Sequence, residues 1–494
     1  MDIMRNITMV IVKSFSTVTS NLHNIITNNA PQLLIIISQL LGHYHFPQSL
    51  LLATTTILLI SLMIILYFST KHKPIYLVDF ACYRPPDSLR VTHSNFTEHL
   101  ERSGRFTQES VDFQDKVLKK SGISSQTCMP LSLHQVNPNL SIRASKAEIE
   151  QILFPIVKQL LSKTRNNNIK INPRDIDILV TNCSLFCPTP SISSMVINKF
   201  GFRSNIKSFS LSGMGCSAGI LAISLAKDLL KVHKNSLALV LSMEVVTQNG
   251  YEGNVKSMLL SNVLFRMGGA AILLSNRKID KPAAKYELQH LVRTNTSSDD
   301  NAYRSVFQQP DDNGLQGVSI SRSLIPVAAK TLTINVSRLG PLVLPYSEQF
   351  RYGLSAVLRR VWQSSSSPSS SSGKISIYVP NFKKAFEHFC IHAGGRAVID
   401  ALEDSLRLNK EDVEASRMTL YRFGNTSSSS VWYELSYLEA KGRFKKGDRV
   451  WQIAFGSGFK CNSAVWKCIS ESSDVNAWSD RINMYPIEVP SMFG

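Results

Sequence analysis

The sequence predicts a layered α/β protein preceded by a membrane anchor. Segments typical of strands alternate with segments typical of helices from residue 176 onward, which indicates layered α/β architecture. Upstream of them, residues 14–70 contain no Asp, Glu, Lys or Arg. The chain has 494 residues, which is enough for two or three ordinary domains or for one large duplicated domain.

Residues 49–68 form the predicted membrane span. This stretch of 20 residues carries no charge. At about 1.5 Å per residue, a helix of that length crosses the hydrocarbon core. The stretch starts too late for a cleaved signal peptide, and no small-residue cleavage site follows it. A second span over residues 24–46 remains open. We therefore assign residues 1–71 to the anchor.

The charges on either side of the span predict its orientation. Four Lys or Arg residues follow the span up to residue 90, whereas two precede it, Arg5 and Lys13. A single span and a two-span hairpin both place the remainder of the chain in the cytosol. The glycosylation sequons at Asn95, Asn139 and Asn335 are therefore expected to stay unmodified.

The composition excludes several classes of protein. The net charge of +18 fits nucleic acid, an anionic membrane surface or phosphate-bearing substrates. Basic residues are scattered and do not interleave with aromatic residues, so we expect no nucleic-acid binding. Eight cysteines are too few for a disulfide scaffold, and Cys183 and Cys187 lack a second pair at zinc-like spacing. We therefore expect no metal site and a reducing compartment.

The elements that follow the anchor are predicted in chain order. Residues 72–86 are expected to form a linker, and residues 93–170 to be mostly helical. Strands are predicted at 176–184, 236–246, 269–276, 418–425 and 449–456, and helices at 191–200, 217–232 and 382–407. The serine-rich stretch 364–373 is a predicted surface loop. A second series of elements starts at residue 285, which gives two parts, residues 72–284 and 285–494.

Cys216 lies in SLSGMGCSAG, where small residues surround it. Such residues permit a sharp turn and the close approach of another molecule. The following residues repeat apolar side chains at helical spacing, which places Cys216 at the start of a mostly buried helix. The positive N-terminal end of that helix is expected to favour the thiolate. The alternative is a free cysteine packed as a small hydrophobe.

Three later segments carry polar groups that a thiol enzyme can use. His388 and His392 are four residues apart within the predicted helix 382–407, so they are expected on one helix face. Asn425 lies in RFGNTSSSS, after a predicted strand. The segment FGSGFKC forms a glycine turn between two predicted strands. Each segment also has a purely structural interpretation when it is considered alone. The histidine can be packed in the core, the asparagine can cap a helix, and the glycine turn can belong to a plain hairpin.

Cysteine, histidine and asparagine together suit a decarboxylative condensation of thioesters. A thiolate accepts an acyl group, and loss of CO2 from a malonyl group then supplies a carbanion equivalent without a strong base. A histidine N–H and an asparagine amide can hold the enolate oxygen. Backbone N–H groups at the two glycine turns can hold the tetrahedral oxyanion, and these turns contain Gly215, Gly456, Ser457 and Gly458.

The motifs resemble those of plant 3-ketoacyl-CoA synthases, the condensing enzymes of very-long-chain fatty acid elongation. The resemblance runs from YLVDFACYRPP to GSGFKCNSAVW and includes GMGCSAG, HAGGRAVIDALE and RFGNTSSSSVWYE. It implies a thiolase-like duplicated α/β/α/β/α fold, with long-chain acyl-CoA and malonyl-CoA as substrates and no further cofactor. It also implies an endoplasmic reticulum membrane protein whose catalytic part faces the cytosol. The implied partners are elongase reductases, a dehydratase and a homo- or hetero-oligomeric subunit.

The resemblance also implies roles for individual residues. By motif, Cys216 is the nucleophile, His392 and Asn425 are the decarboxylation pair, and His388 accompanies them.

Two positions depart from the family pattern. Asn295 and Tyr421 stand where the family has active-site histidines, and neither an amide nor a phenol titrates near pH 7. We still expect a working enzyme, slower or altered in substrate preference. The two alternatives are a catalytically weak subunit of an elongase complex and a type III polyketide synthase. The membrane anchor argues against the second alternative.

Overall fold

The computed structural model describes residues 56–63, 74–162, 171–365, 378–471 and 474–488. The chain divides into two compact units, Met1–His72 and Lys73–Gly494. In the first unit, the described residues 56–63 are helical. Within the described ranges, no helix is both long enough and apolar enough to cross a bilayer. Most of the predicted span 49–68, all of the second span 24–46 and most of the serine-rich loop lie outside the described residues.

The described part of the second unit contains eleven strands and twelve α-helices. The strands are β1 (Tyr76–Cys82), β2 (Ile178–Asn182), β3 (Lys207–Leu211), β4 (Leu237–Met243), β5 (Gly269–Ser275), β6 (Tyr286–Asn295), β7 (Val306–Pro310), β8 (Gln316–Ile320), β9 (His388–Ile391), β10 (Arg449–Gly456) and β11 (Lys460–Cys468). The helices are α1 (His93–Ser103), α2 (Gln108–Lys120), α3 (Ile142–Ser162), α4 (Ile192–Phe200), α5 (Ala218–Val232), α6 (Lys256–Leu264), α7 (Asp300–Tyr303), α8 (Leu324–Val343), α9 (Tyr346–Ser365), α10 (Arg396–Leu406), α11 (Glu414–Phe423) and α12 (Ser430–Ala440).

Nine strands form one sheet whose two halves repeat the same pattern. The order is β3-β2-β4-β5-β1-β6-β11-β10-β9, and β7 and β8 form a separate hairpin. In the first half, β2 and β4 are parallel, and β5 and β1 continue antiparallel. In the second half, β9 and β10 are parallel, and β11 and β6 continue antiparallel. The halves meet at Tyr76 of β1, opposite Glu287 of β6. This repeat agrees with the predicted duplication.

Three core clusters define the layers. One cluster joins the buried helices α5 and α12 to strands from both halves of the sheet. A second packs α3 and α4 against the first half, and a third packs α8 and α10 against the second half. Alternate residues of β4 enter different clusters, since Val240 belongs to the first and Leu239 to the second. With the two halves of the sheet as separate layers, the order is therefore helix, first half of the sheet, helix, second half of the sheet, helix.

Three segments differ from the sequence prediction. The predicted linker 72–86 contains β1, a central strand in which every residue is buried. The predicted helix 382–407 contains β9, and α10 begins only at Arg396. The predicted strand 418–425 covers the C-terminal part of α11 and the two residues that follow it.

Burial and long-range strand pairing explain why local sequence patterns gave the wrong secondary structure for these segments. Seven of the ten residues in α11 are buried, including Ser416 and Arg422, so no apolar stripe distinguishes a helix from a strand. The short strand β9 takes its conformation from parallel pairing with β10, where His388 lies opposite Val450. That partner is too distant in sequence for a local pattern to reveal it. The remaining predicted strands and helices correspond to β2, β4, β5, β10, α4 and α5, mostly with shorter bounds.

Candidate active site

Cys216 lies in a tight turn that leads directly into α5, as predicted. Its partly exposed side chain lines a cavity of about 370 Å³. Gly215 has a positive φ of 65°, and a Cβ at this position would collide with the backbone nitrogen of Ser457. Glycine is therefore required where this turn meets the turn after β10.

The end of β10 and the turn that follows it also form part of the cavity wall. A Cβ at Gly456 would lie 2.6 Å from the carbonyl oxygen of Met214, so this glycine also permits close approach of two backbone segments. Gly456 and Ser457 line the cavity together with Gly215. Gly458 does not belong to the lining, and a Cβ there would meet the side chain of Lys460. Three of the four residues predicted for the oxyanion turns thus reach the cavity.

Asn425 enters the cavity from the second half of the fold. It follows the end of α11, and its main chain forms a parallel β-bridge with Phe265. Asn425 Nδ2 donates to the carbonyl oxygen of Gly394 at 3.1 Å, and Asn425 Oδ1 accepts from the backbone nitrogen of Ser427 at 2.8 Å. Because an amide nitrogen carries two protons, one N–H remains for a ligand oxygen.

The duplicated fold explains why Cys216 and Asn425 meet. Each precedes one of the two central buried helices, α5 and α12, and the turns in front of these helices contact each other. A Cβ at Gly219, in the first turn of α5, would overlap the carbonyl oxygen of Ser428. The small residues around Cys216 therefore serve contact between the two halves as well as access to the thiol.

His392 follows β9 and lines the same cavity. Its backbone nitrogen donates to the carbonyl oxygen of Ile453 at 2.9 Å. The backbone of Ala393, the residue after His392, is held by the buried Glu434. Glu434 Oε1 accepts from the backbone nitrogen of Ala393 at 3.1 Å. Burial lowers the pKa of His392 to about 4, so the imidazole is neutral at pH 7. A neutral imidazole can accept a proton from a neighbouring acid.

The surroundings of Cys216 favour the thiol, contrary to the expectation of a thiolate. Burial raises the pKa of Cys216 to about 12, and the hydrogen bond from Ser427 Oγ, 3.4 Å from Cys216 Sγ, lowers it only in part. Glu244 adds to the rise. The N-terminus of α5 follows Cys216 as predicted, but burial outweighs it. A base would therefore have to remove the thiol proton before Cys216 could act as a nucleophile.

Two residues that the sequence analysis missed complete the polar surroundings of the thiol. Ser427 Oγ lies 3.3 Å from Glu244 Oε2 as well as near Cys216. Glu244 follows β4, is buried, and accepts from the backbone nitrogens of Ser184 and Leu185, both at 3.0 Å. Burial raises the pKa of Glu244. The sequence signal that could have identified Glu244 is the single acidic residue near the end of the apolar stretch SLALVLSMEVV.

His388 does not join the cavity. It is the first residue of β9, so it does not share a helix face with His392. His388 Nε2 lies 3.0 Å from Asp448 Oδ2, and its ring packs edge-on against Phe444 with ring centroids 4.5 Å apart. These contacts tie β9 to the segment before β10.

Asn295 and Tyr421 also lie outside the cavity lining. Asn295 ends β6 and is exposed, and its Oδ1 accepts from the backbone nitrogen of Ser297 at 2.9 Å. Tyr421 lies on α11, where its ring meets that of Tyr485 edge-on at 6.5 Å. Both positions therefore make contacts typical of structural residues.

We expect Asn295→His and Tyr421→His to leave the turnover number and product length unchanged, because neither side chain faces the cavity. Tyr421→His is expected to lower the free energy of unfolding by about 1 kcal/mol, since an edge-to-face aromatic contact is lost. Condensation rates, product profiles and denaturant unfolding of both single variants and the double variant test this. A faster double variant would restore the view that these positions weaken the active site.

Two family descriptions match the chain. "FAE1/Type III polyketide synthase-like protein" matches residues 67–361, and "3-Oxoacyl-[acyl-carrier-protein (ACP)] synthase III C terminal" matches residues 383–468. Among solved structures, 1,3,6,8-tetrahydroxynaphthalene synthase from Streptomyces coelicolor A3(2) is 17% identical with a TM-score of 0.60, over 80% of this chain and 99% of that chain. A type III pentaketide synthase from Neurospora crassa is 20% identical, with the same TM-score and coverage. These similarities show a thiolase-like type III polyketide synthase fold.

Relatives with higher sequence identity specify the family to which the chain belongs. 3-Ketoacyl-CoA synthase 7 of Arabidopsis thaliana is 62% identical over 423 residues, which are 85% of this chain and 89% of the relative. 3-Ketoacyl-CoA synthase 4 of the same plant is 52% identical over 426 residues, 86% of this chain and 80% of the relative. With this identity and the matching fold, the chain belongs to the 3-ketoacyl-CoA synthases, condensing acyltransferases of the FAE1/type III polyketide synthase-like family.

Proposed function

We propose that this chain joins a long-chain acyl-CoA to malonyl-CoA by decarboxylative Claisen condensation, giving 3-oxoacyl-CoA, CO2 and CoA. One observation carries the proposal: Cys216, His392 and Asn425, from three separate segments of the chain, line one cavity. A thiol, a neutral imidazole and an amide donor are the groups that this reaction requires. The names of the relatives support the same reaction.

The first half-reaction transfers the acyl group to the thiol. His392 takes the proton of Cys216, and the sulfur attacks the acyl-CoA carbonyl. Backbone N–H groups at the cavity walls formed by Gly215 and Ser457 are the candidates to hold the oxyanion. The carbon–sulfur bond to CoA then breaks, the proton from His392 goes to the leaving CoA thiolate, and the thioester on Cys216 remains.

The second half-reaction forms the carbon–carbon bond. Malonyl-CoA loses CO2, and the enolate oxygen receives hydrogen bonds from His392 and from the remaining N–H of Asn425. The enolate carbon attacks the thioester carbonyl, and the Cys216 thiolate leaves. One proton from solvent restores the thiol. No cofactor beyond the CoA thioesters is required by these steps.

A basic entrance supports CoA thioesters as substrates. A further cavity of about 570 Å³ shares Phe265, Gly394 and Asn425 with the Cys216 cavity. Its lining includes four cationic side chains, Lys116, Lys120, Arg322 and Arg396, and we call this cavity the basic mouth. Within the described part of the chain, the first three form no ion pair, so they are available to phosphate groups.

A condensation assay tests the proposed function. The full chain in detergent micelles or lipid nanodiscs is given acyl-CoA substrates of increasing length and radiolabelled malonyl-CoA. We expect 3-oxoacyl-CoA with one malonyl-derived unit per acyl chain. Products that contain several malonyl units would instead identify a polyketide synthase, and no product would identify a subunit without condensing activity of its own.

We also propose that the N-terminal region anchors the chain in the endoplasmic reticulum membrane, with the catalytic unit in the cytosol. The 57 residues from 14 to 70 carry no charged side chain. In the described helical stretch 56–63, Ile57, Leu59 and Met63 are between 61% and 69% exposed. A cluster of exposed aliphatic side chains is costly in water and favourable in lipid, which supports the anchor.

Deletion of residues 1–70 is expected to release the catalytic unit from membranes, because the uncharged run is lost. Carbonate extraction and fractionation measure this, and a truncated chain that still behaves as an integral protein would contradict it. In the full chain, Asn95 and Asn139 report the topology, because both are exposed. Asn335 cannot report it, since it is buried and donates to the carbonyl oxygen of Cys461 at 2.9 Å. Glycosylation at Asn95 or Asn139 would place the catalytic unit in the lumen.

The family resemblance further leads us to propose association with other elongase components and with a second subunit. The edge strand β3 supports the second part, because residues Lys207 to Ser210 are exposed at one end of the nine-stranded sheet. An exposed edge offers unpaired backbone groups to a strand of another chain. Light scattering of the purified full chain measures the oligomeric state.

A further inference from the structure

The helix α9 exposes a row of large apolar side chains. Tyr346 is 89% exposed and Phe350 is 71% exposed. Leu354, Val357 and Leu358 continue the row and are between 49% and 58% exposed. These five residues follow one another at helical spacing, so they share one side of the helix, which we call the apolar face of α9. No described residue of α9 lines the Cys216 cavity, so the proposed reaction does not use this face.

The opposite side of α9 packs against the protein. The side chain of Glu348 is fully buried there, and its carboxylate accepts from Lys384 Nζ at 2.6 Å and from the Tyr378 hydroxyl at 2.7 Å. Two turns further along, Ser355 Oγ accepts from the backbone nitrogen of Tyr378 at 3.2 Å. Residues seven positions apart lie on the same side of a helix. These contacts fix the rotation of α9 about its axis and keep the apolar face turned outward.

The charges of α9 suit an anionic surface. Its sequence contains three arginines, and Glu348 is its single acidic residue. Because Glu348 is buried, the described part of α9 exposes no negative charge, whereas the side chain of Arg351 is 61% exposed. Exposed aromatic and aliphatic side chains beside arginine are typical of helices that lie in a membrane interface. In that setting the apolar side chains enter the acyl boundary and the cations meet lipid phosphates.

Two properties of the chain favour lipid over other occupants. The proposed anchor ends at residue 70 and β1 begins at Tyr76, so few residues link the catalytic unit to a bilayer. A surface on so short a tether is present at high effective concentration. The stretch that follows α9 in the chain, residues 366–373, contains only Ser, Pro and Gly. It therefore lacks the large apolar side chains that would cover this face.

We propose that the apolar face of α9 lies in the surface of the cytosolic leaflet and forms a second contact between the chain and the membrane. The occupant is a bilayer that contains anionic phospholipid, which receives Phe350 and its neighbours at the acyl boundary and Arg351 at the headgroups. This inference rests on the proposed cytosolic location of the catalytic unit and is independent of the condensation reaction. A second contact restricts how the catalytic unit can turn on its anchor.

Photolabelling of the full chain by lipid tests the proposal. The chain is reconstituted in vesicles of phosphatidylcholine and phosphatidylinositol that include a phospholipid with a diazirine in its acyl chain. Adducts are mapped by peptide mass spectrometry, and we expect them in residues 346–358 and in the proposed anchor. Adducts in the anchor alone would overturn this inference and leave the anchor supported. Adducts in α9 alone would support the inference and contradict the anchor, and adducts in neither region would contradict both.

A charge on the apolar face tests the same contact by mutation. Phe350→Glu is expected to lower the yield of adducts in α9 by about tenfold, because a carboxylate opposes entry into the acyl region. Adducts in the proposed anchor are expected to stay at the wild-type level. Val232→Glu is the matched control, because Val232 ends α5 and is 74% exposed, and it is expected to keep the wild-type labelling pattern. Unchanged labelling of α9 in Phe350→Glu would show that lipid does not contact this face.

A second copy of the chain is the alternative occupant of the apolar face. Light scattering of the full wild-type chain and of Phe350→Glu in detergent micelles measures this, since a charge buried in a protein contact would weaken the association. We expect both proteins to have the same mass. A smaller mass for Phe350→Glu would assign the face to a subunit contact and overturn the proposal.

Discussion

Cys216→Ala is expected to lower 3-oxoacyl-CoA formation by about 10⁴-fold or more, because among the described residues Cys216 is the only thiol that lines the cavity. The variant is expected to keep its fold and its membrane association, since the substitution only removes a sulfur atom beside small residues. Malonyl-CoA decarboxylation without condensation is expected to persist, because His392 and Asn425 remain. Release of labelled CO2 and formation of 3-oxoacyl-CoA measure the two steps separately.

Cys187→Ala is the matched control for the nucleophile, because Cys187 is an exposed free cysteine that does not line the cavity. It is expected to retain wild-type condensation. Acylation of intact protein by acyl-CoA should add one acyl mass to the control and none to the Cys216 variant. Normal elongation by Cys216→Ala would show that another residue accepts the acyl group.

Asn425→Ala is expected to lower malonyl decarboxylation by about 10²–10³-fold, because the amide N–H that holds the enolate is lost. Acyl loading of Cys216 is expected to fall much less, since this donor acts on the enolate and not on the thiol. Single-turnover acylation with labelled acyl-CoA and CO2 release from malonyl-CoA separate the two effects.

Asn425→Asp separates the chemical role of Asn425 from its structural role. The carboxylate keeps the acceptor for the backbone nitrogen of Ser427, which Asn425 Oδ1 holds at 2.8 Å, but it lacks the amide donor. We expect it to lose decarboxylation as severely as Asn425→Ala and to keep acyl loading. Equal loss of both steps in the two variants would mean that Asn425 maintains the loop and does not bind the enolate.

Local sequence patterns are enough to predict several parts of this protein. The turn-and-helix setting of Cys216 follows from small residues next to a helical repeat, and β2, β4, β5 and β10 follow from short apolar runs. The motif resemblance identified the family and selected the residues Cys216, His392 and Asn425. The inferences about these elements and about the family succeeded because the residue types and their spacing lie in contiguous stretches of chain, whereas the roles of the three residues remain predictions.

The way in which distant segments combine depends on tertiary packing. β1 and β9 are strands because partners far along the chain complete their pairing, and α11 is a helix although most of its residues are buried. The same packing encloses Cys216 and raises its pKa above the value that a helix N-terminus alone would suggest. It brings Glu244 within reach of Ser427, and it leaves Asn295 and Tyr421 outside the cavity. Side-chain environment depends on which surfaces meet in three dimensions, and local sequence carries no record of that.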